Sequence, residues 1–118
     1  LTSSGAMANE NGLKIIFQNK SPAERILTFE HCFMGRTLAL SQITDKSTFR
    51  EGLPQNLHID YVPFYNEKDP EASTARSLSV LKGHVERYPK AHACMCFELI
   101  QGEAGSYPGS RSYFLKLM

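Results

Sequence analysis

The stretch Ala91-His92-Ala93-Cys94-Met95-Cys96-Phe97-Glu98-Leu99-Ile100 is nearly continuous in apolar residues. A strand with that pattern is buried on both faces, as in a parallel sheet between layers of helices. The chain before it supplies candidate helices. After Thr2-Ser3-Ser4-Gly5-Ala6, the residues Met7, Leu13, Ile16 and Phe17 recur at helical spacing, which predicts a helix over about 6–18. A turn at Asn19-Lys20-Ser21-Pro22 leads to Arg25-Ile26-Leu27-Thr28-Phe29-Glu30, short, β-branched and aromatic, as a strand should be. His31 to Arg36 reads as a bend around Gly35, Thr37 to Ile43 as a short helix, and Asp45 to Asn56 as a polar loop. His58 to Phe64 alternates at period 2, with Pro63 pushing it toward a sheet edge. Asp69 as N-cap and Pro70 at the first helical position open a further helix, with Ala75, Leu78, Leu81 and Val85 as its apolar stripe up to Tyr88-Pro89. Phe114-Leu115-Lys116-Leu117-Met118 reads as the first turns of a last helix. Helix and strand alternate throughout, so the fold class is an α/β layer with right-handed crossovers and ligands at the carboxyl ends of the strands.

Charge narrows the partners. Thirteen Lys and Arg face twelve Asp and Glu, interleaved along the chain, so no basic footprint for nucleic acid or an anionic membrane is present. No apolar run approaches the roughly 18 residues of a spanning helix, and Leu1-Thr2-Ser3-Ser4-Gly5 is not a signal peptide. A soluble, intracellular chain is expected. The three cysteines, Cys32, Cys94 and Cys96, are odd in number and unevenly spaced, which favours reduced thiols over a disulfide framework. With 118 residues the chain allows one domain or a piece of one, and its open-ended termini read as an excerpt of a longer protein.

Three segments carry candidate chemistry. Ser3-Ser4-Gly5-Ala6 precedes a helix, where free amides, hydroxyls and a glycine suit a phosphate, although a Ser N-cap followed by Gly is also ordinary capping. His31-Cys32-Phe33-Met34-Gly35-Arg36-Thr37 follows a strand, where Phe33 could stack on a planar ligand beside the Arg36 guanidinium. The plainer alternative makes Phe33 core, Gly35 a turn and Arg36 a surface charge. Glu98-Leu99-Ile100-Gln101-Gly102-Glu103-Ala104-Gly105 places two carboxylates at the end of the most apolar strand. A charged Glu98 there is costly unless it is paired, or it simply begins an exposed loop. Cys94 and Cys96 lack a second pair at metal-site spacing, and His31, His58, His84 and His92 are scattered, so no metal centre is expected.

Together these segments resemble the large domain of the class III, or ω-amino-acid, aminotransferases, which use pyridoxal phosphate on the fold type I scaffold. The family's Ser-Gly-Ala-Glu-Ala-Asn-Glu is matched by Ser4-Gly5-Ala6-Met7-Ala8-Asn9-Glu10 except at Met7, and its aromatic-x-Gly-Arg-Thr by Phe33-Met34-Gly35-Arg36-Thr37. Its Glu-Pro-Ile-Gln-Gly-Glu-Gly-Gly is similar to residues 98–105, with Leu99 in place of Pro. The resemblance covers essentially the whole chain.

It implies a portion, residues 1–118, of the cofactor-binding large domain, within a cytoplasmic (or, in a eukaryote, mitochondrial) homodimer. Ser4, Gly5 and Ala6 would bind the phosphate of pyridoxal 5′-phosphate, Phe33 would stack on its ring, and Glu98 would line the cofactor pocket. Arg36 would meet a substrate carboxylate, and Glu103 would line the substrate pocket. In ornithine-type members the latter glutamate pairs with an arginine beyond these residues. The parent reaction would move an amino group from an ω-amino acid such as ornithine, acetylornithine or lysine to a 2-oxo acid. An aminomutase or decarboxylase on the same loops, or a non-catalytic phosphate-binding module, are the alternatives. The family's cofactor-bearing lysine matches none of Lys14, Lys20, Lys46, Lys68, Lys82, Lys90 or Lys116, so no catalytic residue is expected here and the 118 residues alone should be inactive. In isolation they should also aggregate or stay partly unfolded.

Overall fold

A computed structural model describes residues 1–118. Helix α1 runs Gly5–Lys20, one residue earlier and two later than the spacing predicts, because Ser4 is its N-cap and accepts the Met7 amide on its hydroxyl. Strand β1, Arg25–Phe29, follows, then the short helix α2, Leu40–Ile43, and strand β2, His58–Val62. Helix α3 covers Pro70–Arg87, strand β3 His92–Met95, and helix α4 Arg111–Leu117. No helix is long and apolar enough to cross a membrane.

The sheet is parallel, in the order β2-β1-β3. Central β1 alternates its side chains between two layers. Ile26 enters a cluster with Leu13, Cys32, Met34, Leu40 and Ile43, under α1 and α2. Leu27 and Phe29 enter the other, with Val62, Tyr113 and Phe114, under α3 and α4. Each fully buried member, such as Ile26, Phe29 or Val62, contributes about 1.5–3 kcal/mol by leaving water.

Four expectations need correction. The apolar run from Ala91 to Ile100 does not form one continuous strand. β3 stops at Met95 and pairs in parallel with β1, so only its first part keeps the strand expected over the whole run. Beyond it the chain turns back as a small antiparallel hairpin of β4, Ile100–Gln101, and β5, Tyr107–Pro108, leaving Leu99 exposed. The buried face of α3 matches the expected stripe only in part: Leu78 and Leu81 are half-buried, and Leu81 packs against the second cluster. Ala75 and Val85 face solvent, while Ser73, Thr74 and Ser77 are buried. Their hydroxyls are satisfied locally: Thr74 donates to Pro70 O at 2.6 Å, and Ser77 to Pro63 O at 2.6 Å. Small, self-satisfied residues let the helix sit close to β2. Asp69 precedes α3, but its side chain does not cap it. The predicted helix over 37–43 shrinks to α2, with the Thr37 hydroxyl receiving the Leu40 amide at 3.2 Å.

Residues distant in the chain meet across the three strands. Asp60 on β2 accepts two hydrogen bonds from Arg25 on β1, both 2.7 Å, and lies 2.7 Å from His92 Nε2 on β3. The Arg25 guanidinium stacks 3.6 Å over the Tyr88 ring. Burial alone would raise the Asp60 carboxyl, but the bonds from Arg25 and His92 override it and hold it at about 2.

Candidate functional site

The loop after β1 is tied to other elements at nearly every residue. His31, in the left-handed region at φ 61°, donates its amide to Asp45 at 2.7 Å, and Asp45 returns its own amide to Cys32 O at 2.9 Å. The Phe33 amide donates to Glu98 Oε2 at 2.9 Å. Thr44 accepts the Met34 amide and donates to Gly35 O, both at 2.9 Å. Gly35 adopts φ 133°, and a Cβ there would fall 2.7 Å from Leu40 and 3.2 Å from Ala6, so only glycine fits. Five consecutive residues, His31 to Gly35, are thereby fixed by the 44–45 turn, by Leu40 and Ala6, and by the loop after β3.

Helix α1 is docked on the same loop. Asn9 donates to Met34 O at 2.9 Å, and the Thr37 hydroxyl donates to Glu10. The first two sequence segments, about thirty residues apart, therefore meet. Gly5, Ala6 and Asn9 share one groove of about 590 Å³ with Phe33, Gly35 and Arg36. The amides of Gly5 and Ala6 have no acceptor within the chain, and a Cβ at Gly5 would meet no atom within 4 Å. Ser4 precedes the groove-lining Gly5 but is not itself part of the lining; its oxygen accepts from Met7 and its O–H proton is free to donate. Phe33 is half-buried, and Arg36 is exposed with no carboxylate partner.

The third segment divides. Glu98 is half-buried three residues past β3, not inside a strand. Both its oxygens accept backbone amides, the second from Gly102 at 3.2 Å, so it touches the groove through Phe33's backbone. Glu103 lies away from the groove, in a second cavity of about 450 Å³ with His31, Asp45, Gln101 and Tyr107. It is ion-paired to Lys46 at 3.2 Å. The cysteines pack as apolar groups: burial pushes the Cys32 thiol up to about 11, and Cys96 Sγ rests 3.5 Å from Met34 Sδ.

Several contributors carry no sequence signal of their own. Asn9, Glu10 and Thr37 stand inside the matched motifs without an evident task, and Thr44 and Asp45 sit where the predicted short helix gives way to a polar loop. Phe49 closes a 3-10 turn, Ser47–Phe49, in that loop, with its ring edge-on to Phe33.

This arrangement of a helix terminus, an aromatic loop and a glutamate loop around one groove is matched elsewhere. The family model for Aminotransferase class-III aligns with residues 1–118. The chain belongs to the class-III aminotransferase family. Acetylornithine aminotransferase from Parasynechococcus marenigrum is 32% identical over 97% of this chain, and the mitochondrial enzyme of that name from Saccharomyces cerevisiae is 31% identical over 92%. The chain spans about a quarter of the length of these relatives, 27% and 24% respectively. Among solved structures, a lysine aminotransferase from M. tuberculosis superimposes with a TM-score of 0.85 at 26% identity, over 97% of this chain and 30% of that one. A PLP-bound amine transaminase from an uncultivated Pseudomonas species gives 0.82 at 22% identity, over 98% of this chain and 29% of its own. The fold is that of the fold type I transaminases.

Proposed function

We propose that these residues form part of the cofactor-binding large domain of a pyridoxal 5′-phosphate-dependent transaminase. Its substrates would be an ω-amino acid of the ornithine, acetylornithine or lysine type and a 2-oxo acid, and it would work as a homodimer. The observation that carries this reading is the shared groove, in which unpaired Gly5 and Ala6 amides open toward the same space as the Phe33 ring and the Arg36 guanidinium. A volume of about 590 Å³ is of the size that small-molecule sites use. The residues therefore fit the cofactor.

Each group has a role that follows from its chemistry. The Gly5 and Ala6 amides, at the positive end of the 16-residue helix α1, bind the phosphate, with the Ser4 hydroxyl as a further donor. Phe33 lies against the pyridine ring, its position set by the Glu98 bond to its amide. Arg36 is free to take a substrate carboxylate in a two-pronged pair. Glu103, ion-paired to Lys46, lies outside this groove and lines the neighbouring cavity. When bound, pyridoxal phosphate supplies an electron sink for the carbon that loses its proton. No lysine lines the groove, so these residues bind and orient and do not transfer the proton. The names of the relatives, acetylornithine and lysine aminotransferases, support the donor class.

The test is a donor panel on the full-length protein with pyridoxal phosphate and a 2-oxo acid. Amino transfer from an ω-amino donor is expected. Arg36→Lys should raise KM for the carboxylate substrate roughly fivefold to 150-fold, the equivalent of about 1–3 kcal/mol, with cofactor affinity unchanged. No transfer from any donor, or an unchanged KM in Arg36→Lys, refutes the assignment.

A further inference from the structure

One aromatic side chain beside the groove has no task in the core. Phe49 belongs to neither hydrophobic cluster and is half-buried. Its only aromatic neighbour is Phe33, at 6.1 Å between centroids and 74° between planes, an edge-to-face pair. Two cations face the same ring: Lys46 Nζ at 4.9 Å from the centroid and Arg36 Cζ at 5.9 Å. Lys46 in turn holds Glu103. One ring thus touches the proposed stacking group, the proposed carboxylate-binding group and, through a lysine, the outer glutamate.

The backbone keeps that ring in place. The Phe49 amide donates to Lys46 O at 3.0 Å and the Arg50 amide to Ser47 O at 3.0 Å, closing the 3-10 turn. Asp45, at the start of this segment, is bonded to both His31 and Cys32, so the turn carrying Phe49 and the loop carrying Phe33 are anchored to each other. Arg36 has no carboxylate and no hydrogen bond to hold its guanidinium, and the Phe49 ring is the partner it does have. The electron-rich ring attracts the guanidinium without occupying its N–H donors, which leaves them open to an incoming anion. An acidic partner in its place would compete with that anion.

We propose that Phe49 is a positioning residue for substrate recognition. Its ring fixes the plane of Phe33 and holds the Arg36 guanidinium in the orientation that receives the carboxylate of a 2-oxo acid. The assignment rests on the proposed function above, which gives Phe33 and Arg36 their partners. Phe49 itself touches neither cofactor nor substrate. A tyrosine keeps the ring face and the edge contact, whereas a leucine keeps only the bulk.

The experiment compares Phe49→Leu, Phe49→Tyr and Phe33→Leu in the full-length protein. It measures pyridoxal phosphate affinity of the apo-protein, circular dichroism of the bound cofactor, melting temperature, and kcat and KM for the 2-oxo acid separately. Phe49→Leu is expected to raise KM by about three- to tenfold with kcat within about twofold of wild type. It should also weaken the cofactor's circular dichroism without moving the melting temperature, and Phe49→Tyr should restore both. An unchanged KM and dichroism in Phe49→Leu overturns the assignment. So does a fall in melting temperature and kcat together that tyrosine does not rescue, which marks a merely structural ring. Phe33→Leu separates the two claims. If it leaves cofactor affinity and dichroism intact, the proposed function falls and Phe49's role with it. If it impairs them while Phe49→Leu does nothing, only Phe49's role falls.

Discussion

Glu98 offers the sharpest test of how the site is held, because its two oxygens do separable work. Oε2 accepts the amide of half-buried Phe33 at 2.9 Å, and Oε1 accepts the amide of Gly102 at 3.2 Å in an exposed position. In Glu98→Ala the Gly102 amide turns to water at little cost, while the Phe33 amide is left short of an acceptor. A hydrogen bond to a charged group contributes about 1.5–3 kcal/mol, so the expected loss is about 2 kcal/mol, nearly all from Phe33. Glu98→Gln keeps one oxygen, which can face Phe33, and gives up the exposed bond, so it should cost less than about 1 kcal/mol. Urea unfolding of the full-length apo-protein measures these differences, and pyridoxal phosphate titration should rank affinity in the same order: wild type, Gln, Ala. A Glu98→Ala variant as stable and as tight-binding as wild type refutes the reasoning. A Glu98→Gln variant as damaged as Glu98→Ala also does, since it would show that the charge matters and the acceptor does not.

Two further outcomes follow from the fold. Asp60 ionises at about 2 in the folded chain against an ordinary 3.8, so its stabilisation is present above about pH 4 and lost as pH falls toward about 2. Asp60→Asn should remove about 2 kcal/mol at pH 7 and flatten the difference in acid unfolding over that window; parallel acid curves for variant and wild type would contradict this. Gly35→Ala should lower the melting temperature and weaken cofactor binding, since a Cβ 2.7 Å from Leu40 and 3.2 Å from Ala6 at φ 133° costs about 1–3 kcal/mol; a variant indistinguishable from wild type counts against the strain.

What the sequence reveals follows from how local each signal is. Helix α1 is legible from Ser4 and the spacing of Leu13, Ile16 and Phe17, and β1 from its β-branched run, because caps and periodicity act within a few residues. The three motifs point to a single groove, and the structure brings Gly5, Ala6, Phe33 and Arg36 to one, with Glu98 joined through a backbone bond and Glu103 set apart by Lys46. Composition misjudges the length of β3: Cys96 to Ile100 are apolar enough to continue a strand, but the chain leaves the sheet after Met95 and turns into the β4-β5 hairpin. Part of the face of α3 escaped because buried Thr74 and Ser77, satisfied by the Pro70 and Pro63 carbonyls, look in sequence like surface residues. Asp60, Arg25 and His92 are more than thirty positions apart, and Phe49 gains its place only when the 45–50 turn folds against Phe33, so no local pattern could bring either set together.

The central claim is that the amino end of α1 holds the cofactor phosphate, and Gly5 tests it most directly. A Cβ at this position meets no protein atom within 4 Å, so Gly5→Val should fold with the melting temperature of the wild-type apo-protein. Its side chain would stand where the phosphate must approach the amides. Titration of the full-length apo-protein with pyridoxal phosphate should therefore show binding by wild type and a loss of at least about a hundredfold in affinity for Gly5→Val. Wild-type affinity in a folded Gly5→Val protein would place the phosphate elsewhere and contradict the account.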